Sequence, residues 1–211
     1  MSNHRIKFAK RGSLIFVSHL DFAHSFTRAL KRAELPIKYS EGFSPHPKQV
    51  FALPLSVGMV GENELCDISL TEEFSHEEVK ARLEKAFTSE IEIKEVFDPE
   101  LKMGKVKSAK YELVFDKLDY SVKQLEDALS ELAPVMKTTK SGKERELDIK
   151  SMVYSANVSE KDDKTVLFLT LAASGDSYLN PDLVLVSMRN SGLDIPDEYD
   201  ITRTEILFET K

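Results

Sequence analysis

Residues 40–48 read Ser40-Glu41-Gly42-Phe43-Ser44-Pro45-His46-Pro47-Lys48, a run that neither a helix nor a central strand accommodates. Pro45 and Pro47 each lack a backbone N–H and have a fixed φ, and they hold the preceding residues extended. The segment therefore predicts a stiff loop that keeps His46 and Lys48 in a narrow range of positions. Such a loop suits recognition. The alternative is a structural crossover in which His46 only bonds a backbone carbonyl.

A helix is predicted just before this loop. Ser18 precedes a pattern of helical spacing, and Asp21 follows three residues later in an arrangement like a capping box. Pro36 ends the pattern. The 3.6-residue repeat then defines two faces. The buried face has Phe22, Phe26, Ala29, Leu30 and Ala33, and the outward face has His24, Arg28, Lys31 and Arg32.

The elements around the loop indicate an α+β fold. Up to residue 97, apolar periodicity predicts four strands: 5–9, one that begins at 37–40 and resumes at 49–55 after the loop, 65–70 and 91–97. It also predicts a second helix at 75–87 and a turn-rich connection at 56–63. The order strand, helix, strand, strand, helix, strand is the ferredoxin-like pattern.

A similar order follows a polar linker at residues 98–105, which contains Pro and Gly. It consists of extended segments at 111–115, 147–158, 165–171 and 201–208, helices at 122–132 and from 181, and a basic loop or hairpin at 135–145. We therefore predict two tandem ferredoxin-like (βαββαβ) domains, 1–100 with the Gly42–Lys48 loop and 106–211 with the basic Ser141–Arg145 segment.

Charge is distributed unevenly along the chain. The net charge of −7 argues against a general nucleic-acid binder. Residues 1–50, however, hold nine Lys/Arg and three Asp/Glu residues, so they carry +6 and residues 51–211 carry −13. This asymmetry predicts an anionic partner for the amino-terminal part. The alternative is a basic face that pairs with the acidic remainder of the same molecule.

Composition excludes several classes of protein. No apolar run approaches the length of a membrane span, and the first residues lack the apolar core of a signal peptide. The single cysteine, Cys66, excludes an internal disulfide and a thiolate cluster, and it favours a cytoplasmic location. No spacing typical of a metal or nucleotide site occurs, so we expect no cofactor and no metal.

Several basic and aromatic residues are candidates for binding RNA. Arg28, Lys31, Arg32 and Lys48 suit a phosphate backbone, and Phe43 suits stacking on a base. Lys143 and Arg145 add a second dense basic segment. An alternative use of the loop is catalysis, in which His46 transfers protons and cleaves RNA without a metal.

The chain resembles the radical SAM-linked protein family, a domain of unknown function found beside or fused to radical SAM enzymes. The motifs that carry the resemblance are Ser18-His19-Leu20-Asp21, Gly42-Phe43-Ser44-Pro45-His46-Pro47-Lys48 and, more loosely, Ser141–Lys150 and Thr202–Glu205. The resemblance implies that Ser18, His19, Asp21 and Gly42 belong to the binding site. It also implies a radical SAM enzyme as a partner.

A single cysteine cannot supply the three thiolates that a radical SAM cluster normally takes, so this chain is not itself that enzyme. We therefore expect a non-catalytic protein that binds or presents an RNA substrate to a radical SAM enzyme. Two alternatives remain open at this point. One is the metal-independent endoribonuclease that uses His46, and the other is an adaptor that binds only proteins.

Overall fold

The computed structural model describes residues 2–138, 142, 144–175 and 177–209. The fold is mixed α+β with mostly antiparallel strands, so the predicted class is confirmed at this level. In chain order, the described residues form β1 (Ser2–Lys10), α1 (His19–Arg32), β2 (Gln49–Phe51), β3 (Val60–Leu70), α2 (His76–Ala86), β4 (Ile91–Phe97), β5 (Val106–Asp116), α3 (Val122–Ser130), β6 (Val135–Thr138), β7 (Glu144–Leu147), β8 (Val153–Lys161), β9 (Lys164–Ala172), α4 (Pro181–Asn190) and β10 (Asp200–Phe208).

The chain divides into two compact units. The first consists of Met1–Val106 together with Arg203–Lys211, and the second of Lys107–Thr202. The predicted domain ranges, 1–100 and 106–211, differ from these units at the end of the chain. The carboxyl-terminal segment belongs to the first unit, where the Arg203 side chain is buried against Glu64.

In the first unit, β1 lies between β3 and β4 and pairs antiparallel with both. The short strand β2 pairs antiparallel with β3. Apolar side chains from β1, α1, β3, α2 and β4 form one core, which includes Ile6, Phe8, Phe22, Phe26, Leu30, Ile68, Val79, Leu83 and Ile93. Both helices of this unit therefore contribute to one apolar cluster with the sheet.

Helix α1 begins and ends at the residues that the sequence indicates. The Ser18 hydroxyl accepts a hydrogen bond from the Asp21 N–H and caps the helix. The chain leaves the helix at Ala33, and Glu34 adopts a left-handed conformation with φ of 54°. The predicted apolar face is buried, with Phe22, Phe26, Ala29, Leu30 and Ala33 each at most 5% exposed.

Two segments of the first unit differ from the prediction. Residues 56–63 were expected to be a turn, yet β3 already begins at Val60 because Gly61 pairs with Lys10 across the sheet. Residues 37–40 were expected to be a strand, but Ile37 and Tyr39 make only isolated bridges, to Leu70 and Pro47. In both places, pairing with a distant segment decides the conformation.

In the second unit, β9 lies between β5 and β8 and pairs antiparallel with both. A capping box between Ser121 and Gln124 starts α3, and Asn180 caps α4, which has Pro181 in its first turn. The Ser187 hydroxyl of α4 bonds both the N–H and the carbonyl of Ala133. The chain after α3 is thereby fixed to α4.

The predicted basic hairpin is present in part. Strands β6 and β7 pair antiparallel as a separate two-stranded sheet. Residues 139–141 and 143, which include the candidate Lys143, lie outside the described part of the chain.

Candidate functional site

The 40–48 loop is closed by hydrogen bonds at its base. The Ser40 N–H donates to the His46 carbonyl at 2.7 Å, and the His46 N–H donates to the Ser40 hydroxyl at 2.9 Å. One step further out, the Lys48 N–H donates to the Lys38 carbonyl at 2.7 Å. These bonds, together with the two prolines, hold the loop in one conformation.

The tip of this loop presents its side chains to solvent. Phe43 is fully exposed, and His46 and Lys48 are also exposed. Gly42 has φ of 128°, a conformation that disfavours any other residue. An exposed phenylalanine on a rigid loop gives a flat apolar surface, and none of the described residues covers it.

Gln49 connects the loop to α1. Its side-chain amide donates to the Ala23 carbonyl at 3.1 Å, and its amide oxygen accepts a hydrogen bond from the Thr27 hydroxyl at 3.2 Å. Gln49 directly follows Lys48, so these bonds fix the end of the loop beside the middle of the helix. Sequence reasoning did not identify Gln49 as part of the site. Its two partners, Ala23 and Thr27, lie on α1, more than twenty residues before it in the chain.

The basic residues of α1 occupy its exposed face. His24, Arg28, Lys31 and Arg32 are all exposed. Successive helical residues are about 100° apart, which places Arg28 and Arg32 on the side of the helix opposite to Ala23 and Thr27. The exposed face therefore extends from the Gln49 contact, across the cationic residues, to the other edge of the helix.

An apolar cleft of about 280 Å³ lies at that other edge. We call it the α1 cleft, and its apolar lining consists of Leu14, Val17, Phe22, Phe87 and Ile91. Arg28, Arg32, Ser25 and Thr88 supply its polar lining. The cleft thus combines an apolar floor with two guanidinium groups.

These two guanidinium groups are not neutralised within the described part of the unit. Arg32 donates to the Ala86 carbonyl at 2.9 Å, and among the described residues Arg28 has no ion-pair partner. Like charges four residues apart on a helix destabilise it slightly. The arrangement favours an anionic group at the mouth of the α1 cleft.

A buried ionic cluster lies below the start of α1. Arg203 makes two hydrogen bonds to the Glu64 carboxylate, at 2.8 and 2.6 Å, and both side chains are buried. Arg203 also donates to the carbonyls of Leu53 and Pro54. These bonds satisfy the charge of Glu64 and hold the backbone at residues 53–54.

Lys10 belongs to the same cluster. It is 1% exposed, its Nζ donates to the Val17 carbonyl at 3.1 Å, and the ammonium lies 4.9 Å from the centre of the Phe22 ring. Burial lowers the pKa of Lys10, nearby Glu64 raises it and Arg203 lowers it. Lys10 thus holds the backbone just before Ser18.

The sequence motif Ser18-His19-Leu20-Asp21 has a structural role. The Ser18 hydroxyl donates to the Asp21 carboxylate at 2.7 Å while it caps the helix. His19 packs edge-on against Phe51 with ring centres 5.3 Å apart. Burial lowers the pKa of His19, as do Lys10 and Arg203, whereas Glu64 raises it, so the balance favours the neutral form of the ring.

The structure brings the predicted site residues of the first unit into three groups. The loop carries Gly42, Phe43, His46 and Lys48, the face of α1 carries Arg28, Lys31 and Arg32, and the start of α1 carries Ser18, His19 and Asp21. Arg145 is exposed on β7 in the second unit. The side chain of His46, the candidate catalytic group, has no hydrogen-bond or ion-pair partner among the described residues.

Sequence reasoning missed the buried residues of the site. Lys10 was counted only as a basic residue, Arg203 was named only within the Thr202–Glu205 motif, and Glu64 was not noted. A signal existed for Lys10, since it follows directly on an alternating strand, but its burial depends on tertiary contacts with Val17 and Phe22 and on the charge of Glu64 nearby.

The described residues show neither a cluster of metal ligands nor a helix that could span a membrane. Across the described residues, no group of three or more His, Cys, Asp or Glu side chains is placed to hold a metal ion. In the same part of the chain, no helix has the length and apolarity needed to cross a membrane.

A family model described as an uncharacterized protein conserved in bacteria, DUF2344, matches residues 3–181. The chain belongs to the DUF2344 family. This DUF2344 chain has no match among curated proteins. The family match covers the loop, α1, the α1 cleft and the β6–β7 hairpin, and it ends before Arg203.

Solved structures add a likeness in fold. The DUF2344 chain is similar to a chain from a crystal structure of a Cbf5-Nop10-Gar1 complex, with 10% identity and a TM-score of 0.52. That match covers 96% of this chain and 48% of the other, so this chain spans about half the length of that protein. An unknown protein from Galdieria sulphuraria matches over 96% of this chain and 98% of its own, with 11% identity and a TM-score of 0.28.

Proposed function

We propose that this DUF2344 protein binds RNA through its first unit and presents it to a radical SAM enzyme, without catalysing a reaction itself. The observation that carries the proposal is the α1 cleft, which joins an apolar floor to two guanidinium groups, Arg28 and Arg32. A nucleotide has the complementary chemistry, since a flat base is attached to a phosphate.

The surface beside the α1 cleft extends this complementarity. Lys31 and Arg28 continue the positive charge across α1, and Lys48 adds a cation at the base of the loop. Phe43 at the loop tip offers a face on which a second base stacks. Stacking requires unpaired bases, so the substrate is single-stranded RNA or a loop of a folded RNA.

We further propose that each unit is a ferredoxin-like domain. In the first unit, β4, β1, β3 and β2 are neighbours in that order, the pairs are antiparallel, and the two helices occupy the expected places in the chain. A sheet of this kind is a common platform for RNA, although the fold alone does not specify function.

The proposal of a radical SAM enzyme as the partner rests on the family resemblance of the loop and helix motifs. The chain supplies no cluster of its own, because Cys66 is buried and burial raises the pKa of its thiol. The iron–sulfur chemistry therefore belongs to another protein, and this chain contributes the RNA. Affinity purification of the tagged protein from its native host tests this part, and recovery of RNA without any iron–sulfur protein contradicts it.

Binding of a short single-stranded RNA, followed by fluorescence anisotropy, tests the RNA part. We expect the affinity to fall about tenfold or more between low and moderate salt if about four phosphates are bound. The double variant Arg28→Glu/Arg32→Glu should lose most of the binding. Lys123→Glu, at an exposed helical position of α3, is the control and should retain it.

Thermal stability separates loss of binding from loss of folding, because both arginines are exposed and their replacement should hardly change the melting temperature. Equal losses of affinity in the double variant and in Lys123→Glu contradict a site at the α1 cleft. A native protein that captures a radical SAM enzyme but no RNA is instead an adaptor for proteins.

A further inference from the structure

The second unit contains a separate polar groove beside the β6–β7 hairpin. It has a volume of about 610 Å³, and we call it the hairpin groove. Its polar lining includes Lys137, Arg145, Asp148, Ser151, Ser177 and Tyr178. None of these residues belongs to the surface proposed above, which lies in the first unit.

The register of the hairpin separates its charges by face. Lys137 is directly opposite Arg145, and Val135 is opposite Leu147. Neighbouring residues of a strand point to opposite faces, so Glu144 and Glu146 lie on the other face from Arg145. The face that lines the groove is therefore cationic, and the acidic residues of β7 are directed away from it.

This placement is unfavourable for the hairpin alone. Directly opposed residues have Cβ atoms about 5 Å apart, and like charges at that position are destabilising. Within the described part of the chain, neither Lys137 nor Arg145 forms an ion pair. Asp148 also lines the groove, and its carboxylate accepts the Lys150 N–H at 3.0 Å. Among the described residues, the three charged side chains of the lining, Lys137, Arg145 and Asp148, leave one positive charge in excess.

We infer that the hairpin groove binds the phosphate group of a ribonucleotide, either free or within an RNA strand. Lys137 and Arg145 bind the phosphate, with the planar guanidinium suited to two parallel hydrogen bonds. The hydroxyl groups of Ser151, Ser177 and Tyr178 suit the polar groups of the ribose and base. This site goes beyond the proposed function, because it lies in the other unit and requires nothing of the α1 cleft.

The test uses the full chain with Arg28→Glu/Arg32→Glu, so that binding at the α1 cleft does not contribute. Three probes are titrated in parallel by calorimetry: a short single-stranded RNA, uridine 5′-monophosphate and inorganic phosphate. Arg145→Gln and, separately, Lys137→Gln are compared with Lys161→Gln, which makes the same charge change at an exposed position of β8.

Arg145→Gln and Lys137→Gln should each lower the affinity of the protein for the bound probe by about tenfold or more. Lys161→Gln should leave that affinity unchanged. Binding of RNA alone identifies a strand as the source of the phosphate, and binding of the monophosphate identifies a free nucleotide. No binding of any probe, or equal weakening by all three variants, overturns the inference.

Stability supplies a second readout that does not depend on the probes. Arg145→Glu places an acid opposite Lys137, so it should keep or raise the melting temperature of the unliganded protein while it abolishes binding. If Arg145→Glu binds the probes as tightly as the protein with native Arg145, the inference is overturned. It is also overturned if Arg145→Glu loses binding only because the protein unfolds.

Discussion

At the scale of single residues, the first unit contains a close contact between His4 and His76. The two Nδ1 atoms are 2.9 Å apart, so one ring donates and the other accepts, and His4 Nε2 lies 2.8 Å from the Ser2 hydroxyl. Burial lowers the pKa of His4, the neighbouring His76 lowers it further, and Asp98 raises it. Protonation of His4 is therefore disfavoured in the folded protein.

The lowered pKa of His4 predicts how stability changes with pH. Unfolded histidines titrate at about pH 6.5, so below that pH the unfolded chain binds more protons than the folded chain and the free energy of unfolding decreases. We expect the melting temperature to fall between about pH 7 and pH 5. His76→Gln keeps a hydrogen-bond partner for His4 but removes the neighbouring imidazole that lowers its pKa, so it should reduce that fall.

His24→Gln, at an exposed position of α1, is the matched control for this pH series. If His76→Gln remains as sensitive to acid as the native protein, then the contact between the two rings does not account for the shift.

At the scale of elements, the loop and α1 act together because Gln49 bonds the middle of the helix. The loop has its own closing hydrogen bonds, and α1 has its own cap at Ser18. The loop and α1 are therefore each formed by local interactions, and Gln49 fixes the position of the loop relative to α1. The proposed binding surface depends on that placement as well as on the charges of α1.

Phe43→Ala tests the contribution of the loop. We expect the affinity for single-stranded RNA to fall about tenfold, since stacking of one base contributes about 1–3 kcal/mol. The melting temperature should not change, because Phe43 is fully exposed. Phe16→Ala is the control, at a phenylalanine that is 70% exposed outside the proposed surface. Equal losses of affinity in both variants contradict stacking on the loop.

At the scale of the whole chain, the first unit is assembled from two distant segments. Arg203, near the end of the sequence, supplies the partner of the buried Glu64. Removal of one member of a buried ion pair leaves an unpaired charge and costs about 3–5 kcal/mol. The first unit is therefore not equivalent to the amino-terminal half of the chain.

Arg203→Met should lower the free energy of unfolding by about 3–5 kcal/mol in urea titrations. The double variant Glu64→Gln/Arg203→Met removes both charges, so it should be less destabilised than Arg203→Met alone. If Glu64→Gln makes the Arg203→Met protein still less stable, then the pair is not the reason for the loss.

Local signals in the sequence were sufficient to predict α1, the loop and the hairpin. The cap at Ser18 and the 3.6-residue spacing determine the helix and its exposed cations, because both act within a few residues. Pro45 and Pro47 determine the loop through their own fixed dihedral angles. The mixed α+β class followed from the order of these elements. Arg145 was predicted in a basic loop or hairpin, and the structure places it on the exposed strand β7.

Tertiary structure decided the features that depend on distant partners. Val60–Asn63 has the composition of a turn, but it continues β3 because β1 offers a paired edge. Leu14, Phe87 and Ile91 form the α1 cleft only when residues far apart in sequence are packed together. Lys10, Glu64 and Arg203 have side chains that ordinarily face water, and they are buried here because each finds its partners in another part of the first unit.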